Sequence, residues 1–122
     1  MEEKVKKQDW KNLPMPEERT SFQLEGAFTQ EIIDKLKKGH MTQAMEDKWF
    51  YYEENNKLYI HRSWTGYCIY IVDLNIGDSH TVIVNRNDQE YKSKDVEYDR
   101  KILQNLLHYN MTNGTYNEKI DI

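Results

Sequence analysis

The sequence predicts an α+β domain: a small antiparallel sheet of three to four strands with an N-terminal and a C-terminal helix. Three observations carry this. Apolar residues recur at helical spacing near both ends, as Ile32, Ile33 and Leu36 and again as Val96, Leu103, Leu106 and Leu107. Between them lie runs rich in aromatic and β-branched residues. Asn55-Asn56 and Asn75-Ile76-Gly77-Asp78 punctuate those runs as turns.

The first 20 residues hold few apolar side chains, with charges of both signs and the segment Leu13-Pro14-Met15-Pro16. They read as a flexible arm whose one anchor is Trp10, because so polar a stretch cannot offset its ordering entropy. The domain proper then runs from 21 to 111, and 112–122 is a polar tail expected to fray. The first helix has Thr29 as N-cap, with Phe28 and Ile33 as a staple, and Gly39 as its C′ residue. Met41, Ala44 and Met45 allow a further helical turn.

Trp49 to Tyr52 and Leu58 to Arg62 form a hairpin across Asn55-Asn56, whose residue type tolerates positive φ. Tyr67 to Leu74 continues as a long strand and Thr81 to Asn85 as another. Asp95 caps the last helix, with His108, Tyr109 and Asn110 near its end.

Composition narrows the function. The chain has 122 residues, a formal net charge of −4 and one cysteine. Leu, Ile, Val and Phe make up about 21% of it, while 9 Tyr and 3 Trp carry much of the apolar surface. No apolar run approaches the ~20 residues of a membrane span. The acidic balance argues against DNA, whose binders are basic. Cys68 has no intrachain partner, and Met1 to Lys7 is charged throughout, unlike a signal peptide. Both features fit a reducing cytoplasm. No cofactor fingerprint is present, and the four histidines lack metal-ligand spacing.

Two polar-aromatic runs stand out, Glu46-Asp47-Lys48-Trp49 and His61-Arg62-Ser63-Trp64-Thr65-Gly66. Arginine offers a fork of donors that suits phosphate or carboxylate, and tryptophan a face on which a base stacks. Asn85-Arg86 repeats the theme. Lys48, Trp49, Arg62, Trp64, Thr65, Asn85 and Arg86 are therefore the candidate ligand-binding residues. His61, Glu46 and Asp47 are the candidates for acid–base catalysis. Strand parity sets Leu58, Ile60 and Arg62 on one face and Tyr59, His61 and Ser63 on the other, unless a bulge at Ser63 to Gly66 intervenes. Each residue also has a structural reading: Asp47 or Glu46 as an ion-pair partner of Arg62, Trp49 and Trp64 as core or interface aromatics, His61 as a hydrogen-bonded strand histidine. Cys68, within an apolar run, reads as buried and inert.

The segments Met45-Glu46-Asp47-Lys48-Trp49-Phe50, Leu58 to Tyr70 and Val84-Asn85-Arg86 resemble a small bacterial and phage domain found alone and beside or fused to macrodomain-type, ADP-ribose-related proteins. The likeness runs from about Phe28 to Leu107. It implies an ADP-ribose-like or other NAD-derived nucleotide ligand, and by analogy with small phage proteins a sponge for nucleotide immune signals, in anti-defence. Three functions follow as expectations: a module that sequesters or senses a small phosphorylated nucleotide, linear or cyclic; a hydrolase of an ADP-ribosyl or phosphodiester bond; or a protein-interaction domain. A homo-oligomer is expected in each case.

Overall fold

The structure is a computed structural model that describes residues 4–42 and 47–111, with side chains up to 107. Glu46, Ala44, Met45 and the 112–122 tail lie outside the described residues, as do the side chains of His108, Tyr109 and Asn110.

The architecture is α+β, with a five-stranded antiparallel sheet rather than one of three or four strands. The strands are β1 (Arg19–Phe28), β2 (Trp49–Glu54), β3 (Lys57–Arg62), β4 (Cys68–Asp73) and β5 (Gly77–Asn85), in spatial order β1-β5-β4-β3-β2. Helix α1 (Gln30–Lys37) follows β1, and α2 (Val96–Met111) follows β5. The additional strand is β1, so the first helix does not open the domain. β1 pairs along β5 from Arg19↔Asn85 to Phe28↔Gly77. It buries only Phe22, Leu24 and Phe28. This edge strand is mostly exposed, so its sequence carries little of the alternation that marks a half-buried strand.

Local chemistry accounts for the element ends. Thr29 Oγ1 accepts from the Ile32 amide at 3.3 Å, which caps α1. Gly39 follows at φ +78°; a Cβ there would sit 2.6 Å from the Tyr51 carbonyl oxygen and 2.8 Å from Val5 Cβ. The β2–β3 turn is Asn55-Asn56, with φ of 53° and 62°. Asp95 Oδ1 accepts from the Glu97 amide at 2.9 Å at the start of α2.

The core fills the sheet face that α1 and α2 cover. Leu58, Ile60, Tyr70, Val72, Val82 and Val84 rise from the strands to meet Ile33, Leu36, Ile102, Leu103 and Leu106. The helices themselves are in contact. Two tyrosine hydroxyls inside the core, those of Tyr70 and Tyr91, share a buried carboxylate. Tyr70 and Tyr91 both donate to Asp99 Oδ1, at 2.8 and 2.7 Å, and Arg86 donates to Asp99 Oδ2 at 2.6 Å. Burial, then the Tyr91 hydroxyl and the Asp99 carboxylate, hold the Tyr70 phenol well above its ordinary range; burial and Asp99 do the same for Tyr91, against a lowering by the Tyr70 hydroxyl.

Contacts tie the arm to the end of α1, to β2 and to the β3–β4 loop. Val5 N–H donates to the Lys38 carbonyl at 2.9 Å, and Lys4 pairs with Glu53. Trp10 Nε1 donates to the Ser63 carbonyl at 2.7 Å, and Leu13 N–H to the Gly66 carbonyl at 2.8 Å. The composition of the arm is polar because it docks through backbone and anchor contacts rather than through an apolar stripe. No helix among the described residues is long and apolar enough to cross a membrane.

Candidate functional site

The chemistry-bearing residues meet at one end of the sheet, where β3 and β5 finish and β2 begins. Arg62 is the last residue of β3 and faces Trp49, the first of β2, as its cross-strand partner. The guanidinium carbon lies 4.5 Å from the centre of the Trp49 ring and 5.9 Å from that of Tyr91. Both distances suit attraction between a cation and an aromatic face. No carboxylate or carbonyl among the described residues takes a hydrogen bond from this guanidinium. Its planar fork of donors is held in place by rings and left open to an incoming acceptor.

The loop after Arg62 is a compact turn, closed by Gly66 N–H to the Arg62 carbonyl and Arg62 N–H to the Tyr67 carbonyl, at 2.8 and 2.9 Å. Gly66 adopts φ +85°. The irregularity expected at Ser63 to Gly66 is therefore a hairpin loop. The bulge itself lies where Ile60↔Tyr70 passes to His61↔Cys68. The loop is fastened from two sides. Ser63 Oγ donates to the Asp47 carbonyl at 2.7 Å and Ser63 N–H to the Lys48 carbonyl at 2.8 Å. From the arm come Trp10, Leu13 and Lys11, the last donating to the Trp64 carbonyl at 2.9 Å.

Two adjoining clefts open here. One, of about 410 Å³, is lined by Lys48, Arg62, Trp64, Thr65 and Glu90. The other, of about 520 Å³, runs from Arg62 and Glu90 past Tyr91, Lys92 and Lys94 to Asp95 and Tyr98. Both volumes fall in the range usual for small-molecule sites.

Of the sequence-predicted residues, Lys48, Arg62, Trp64 and Thr65 thus converge on one cleft. Trp49 does not line it. The ring is 1% exposed and lies under Arg62 as a floor. Asn85 and Arg86 stand behind the site. The buried Asn85 amide donates to the Cys68 carbonyl and to Glu90 Oε1, both at 2.9 Å, and its carbonyl accepts from Asn87 N–H at 2.8 Å. It holds Glu90 rather than a ligand. Arg86 serves Asp99 and the Ser93 carbonyl, so it ties β5 to α2.

Of the residues proposed for acid–base work, Glu46 lies outside the described residues, and His61 and Asp47 are engaged apart from one another. His61 is buried beneath the other face, with Nδ1 on the Gly66 carbonyl at 2.9 Å and Phe50 and Tyr52 beside its ring. Burial chiefly, with a smaller contribution from Lys7, lowers its affinity for a proton despite the Gly66 bond. The Asp47 carboxylate goes to His40 Nε2 at 2.8 Å and to the Trp49 amide at 3.3 Å. Cys68 is buried, and that burial pushes its thiol up to about 12. Among the described residues no group of three His, Cys, Asp or Glu could hold a metal ion.

Sequence reasoning missed Glu90, Tyr91, Lys92, Lys94 and Tyr98. They come from the β5–α2 connection and the first turn of α2. The one available signal was a polar connecting stretch just beyond Asn85-Arg86, with charges and tyrosines on a loop where binding residues concentrate. Protein-family models, curated proteins and solved structures give no match to this chain.

Proposed function

We propose that the chain is a binding module for a small phosphorylated nucleotide, ADP-ribose-like, otherwise NAD-derived or cyclic, which it sequesters or senses. One observation carries the reading: a ring-held Arg62 guanidinium without an acceptor stands between two clefts that also contain a carboxylate and exposed aromatic rings. A phosphate fits the arginine fork, with Lys48 beside it. A base fits the Trp64 ring, exposed on the cleft wall. Glu90, steadied by Asn85, offers an acceptor for ribose hydroxyls.

Charge-assisted hydrogen bonds contribute about 1.5–3 kcal/mol each and a stacked base about 1–3 kcal/mol. At the upper end of these ranges, two of the first and one of the second reach micromolar affinity, about −8 kcal/mol. Binding is favoured over hydrolysis because His61 and Asp47 are engaged away from the cleft.

The test is calorimetric titration with ADP-ribose, cyclic ADP-ribose isomers and cyclic dinucleotides, followed by chromatography of the released ligand. Saturable binding with intact ligand recovered is the expected result. Absence of heat with every one of them overturns the proposal, and conversion of the ligand replaces it with the enzymatic reading.

A further inference from the structure

We infer that the ligand carries two bases, with Trp64 and Tyr98 as separate stacking platforms on either side of Arg62. This rests on the nucleotide reading above and sharpens its substrate class to a dinucleotide.

Of the large apolar side chains exposed among the described residues, two are aromatic: Trp64, at 62%, and Tyr98, at 41%. Single exposed rings are ordinary on a protein surface; what marks these two is their place beside the clefts. Both rings line the clefts just described, one in each. Arg62 and Glu90 form the wall common to both. The order across the surface is therefore ring, arginine with carboxylate, ring.

Charge follows the same two-fold division. Lys48 lines the Trp64 side, and Lys92 and Lys94 line the Tyr98 side. Lys94 pairs with exposed Asp88 on the surface. A single mononucleotide has one base and uses one ring, which leaves the second cleft and its lysines without a role. A dinucleotide has a base at each end and its phosphates in the middle, which matches a central arginine flanked by two platforms. The acidic groups fit the same ligand. Glu90 beside Arg62 and Asp95 near Tyr98 accept hydroxyl donors, and a ribose accompanies each base. The net charge of −4 favours a short ligand of this kind over a long nucleic acid, whose binding depends on many cationic contacts.

Titration of the full chain with AMP, ADP-ribose, NAD⁺ and cyclic di-AMP, for the wild type, Trp64→Ala and Tyr98→Ala, tests this. ADP-ribose and NAD⁺ share the adenosine, the pyrophosphate and the second ribose, and differ in the second base. At least one two-base probe is expected to bind about tenfold or more tighter than AMP and ADP-ribose. Tyr98→Ala removes that increment and leaves AMP and ADP-ribose within twofold of wild type. Trp64→Ala weakens all binding probes. If AMP or ADP-ribose binds but no two-base probe binds tighter, or Tyr98→Ala leaves the tightest one within twofold, the two-base inference falls and the nucleotide reading stands. If none of the four binds, both fall. Tyr98 is exposed at the first turn of α2, so an unchanged melting temperature for Tyr98→Ala separates lost contact from lost fold.

Discussion

Arg62 and Trp49 are cross-strand partners at the open end of the sheet, with the guanidinium carbon 4.5 Å from the indole centre. This pairing solves two problems together. The buried ring gains a polarised neighbour, and the arginine is fixed in direction without using its hydrogen-bond donors.

A lysine at position 62 keeps the charge but not the fork. Arg62→Lys is expected to leave the melting temperature within a few degrees of wild type and to weaken nucleotide binding about tenfold or more, read by calorimetry. Equal affinity for the two proteins would show that Arg62 acts only as a packed cation.

Arg86 belongs to the fold instead. Its guanidinium meets a fully buried Asp99 whose other oxygen already serves Tyr70 and Tyr91. Arg86→Ala leaves that carboxylate without its counter-charge and is expected to cost about 3–5 kcal/mol in denaturant unfolding. A loss below about 1 kcal/mol contradicts this assignment.

His61 makes stability depend on pH. Burial holds its folded-state pKa below the ordinary value near 6.5, so the unfolded chain takes up the proton first. Its contribution is complete above that ordinary value and is lost as pH falls below it. Unfolding free energy measured from pH 7.5 to 5 should decline more steeply for wild type than for His61→Gln, whose amide still reaches for the Gly66 carbonyl. Parallel curves would remove His61 from the account.

The arm is expected to matter to the loop that carries Trp64. Trp10→Phe deletes the donor to the Ser63 carbonyl while keeping an aromatic ring. It should cost about 0.5–1.5 kcal/mol of stability, accompanied by faster amide exchange over Ser63 to Gly66. Unaltered exchange there would mean that the arm does not steady the loop.

The β2–β3 hairpin was legible because an Asn-Asn turn and aromatic strands declare themselves locally. The α1 ends were legible for the same reason, through Thr29 and Gly39. β1 was not, since an edge strand with three buried residues offers little periodicity. Within the site, Lys48, Arg62, Trp64 and Thr65 are close in chain or on paired strands, so their convergence follows from the hairpin. Glu90 and Tyr98 arrive from a connection whose path depends on where α2 docks, and docking is set by long-range packing. The residue types of Asn85 and Arg86 suit a ligand, but the structure turns both to the fold. Type alone does not reveal that a buried carboxylate and a loop carboxylate already occupy them.

Backbone amide mapping by NMR during titration with ADP-ribose tests the central claim most directly. Shifts are expected to concentrate at Lys48, at Arg62 to Thr65 and at Glu90, with β1 residues Thr20 to Glu25 unmoved. Shifts centred on β1 or around His61, or an unchanged spectrum at saturating nucleotide, would contradict that claim.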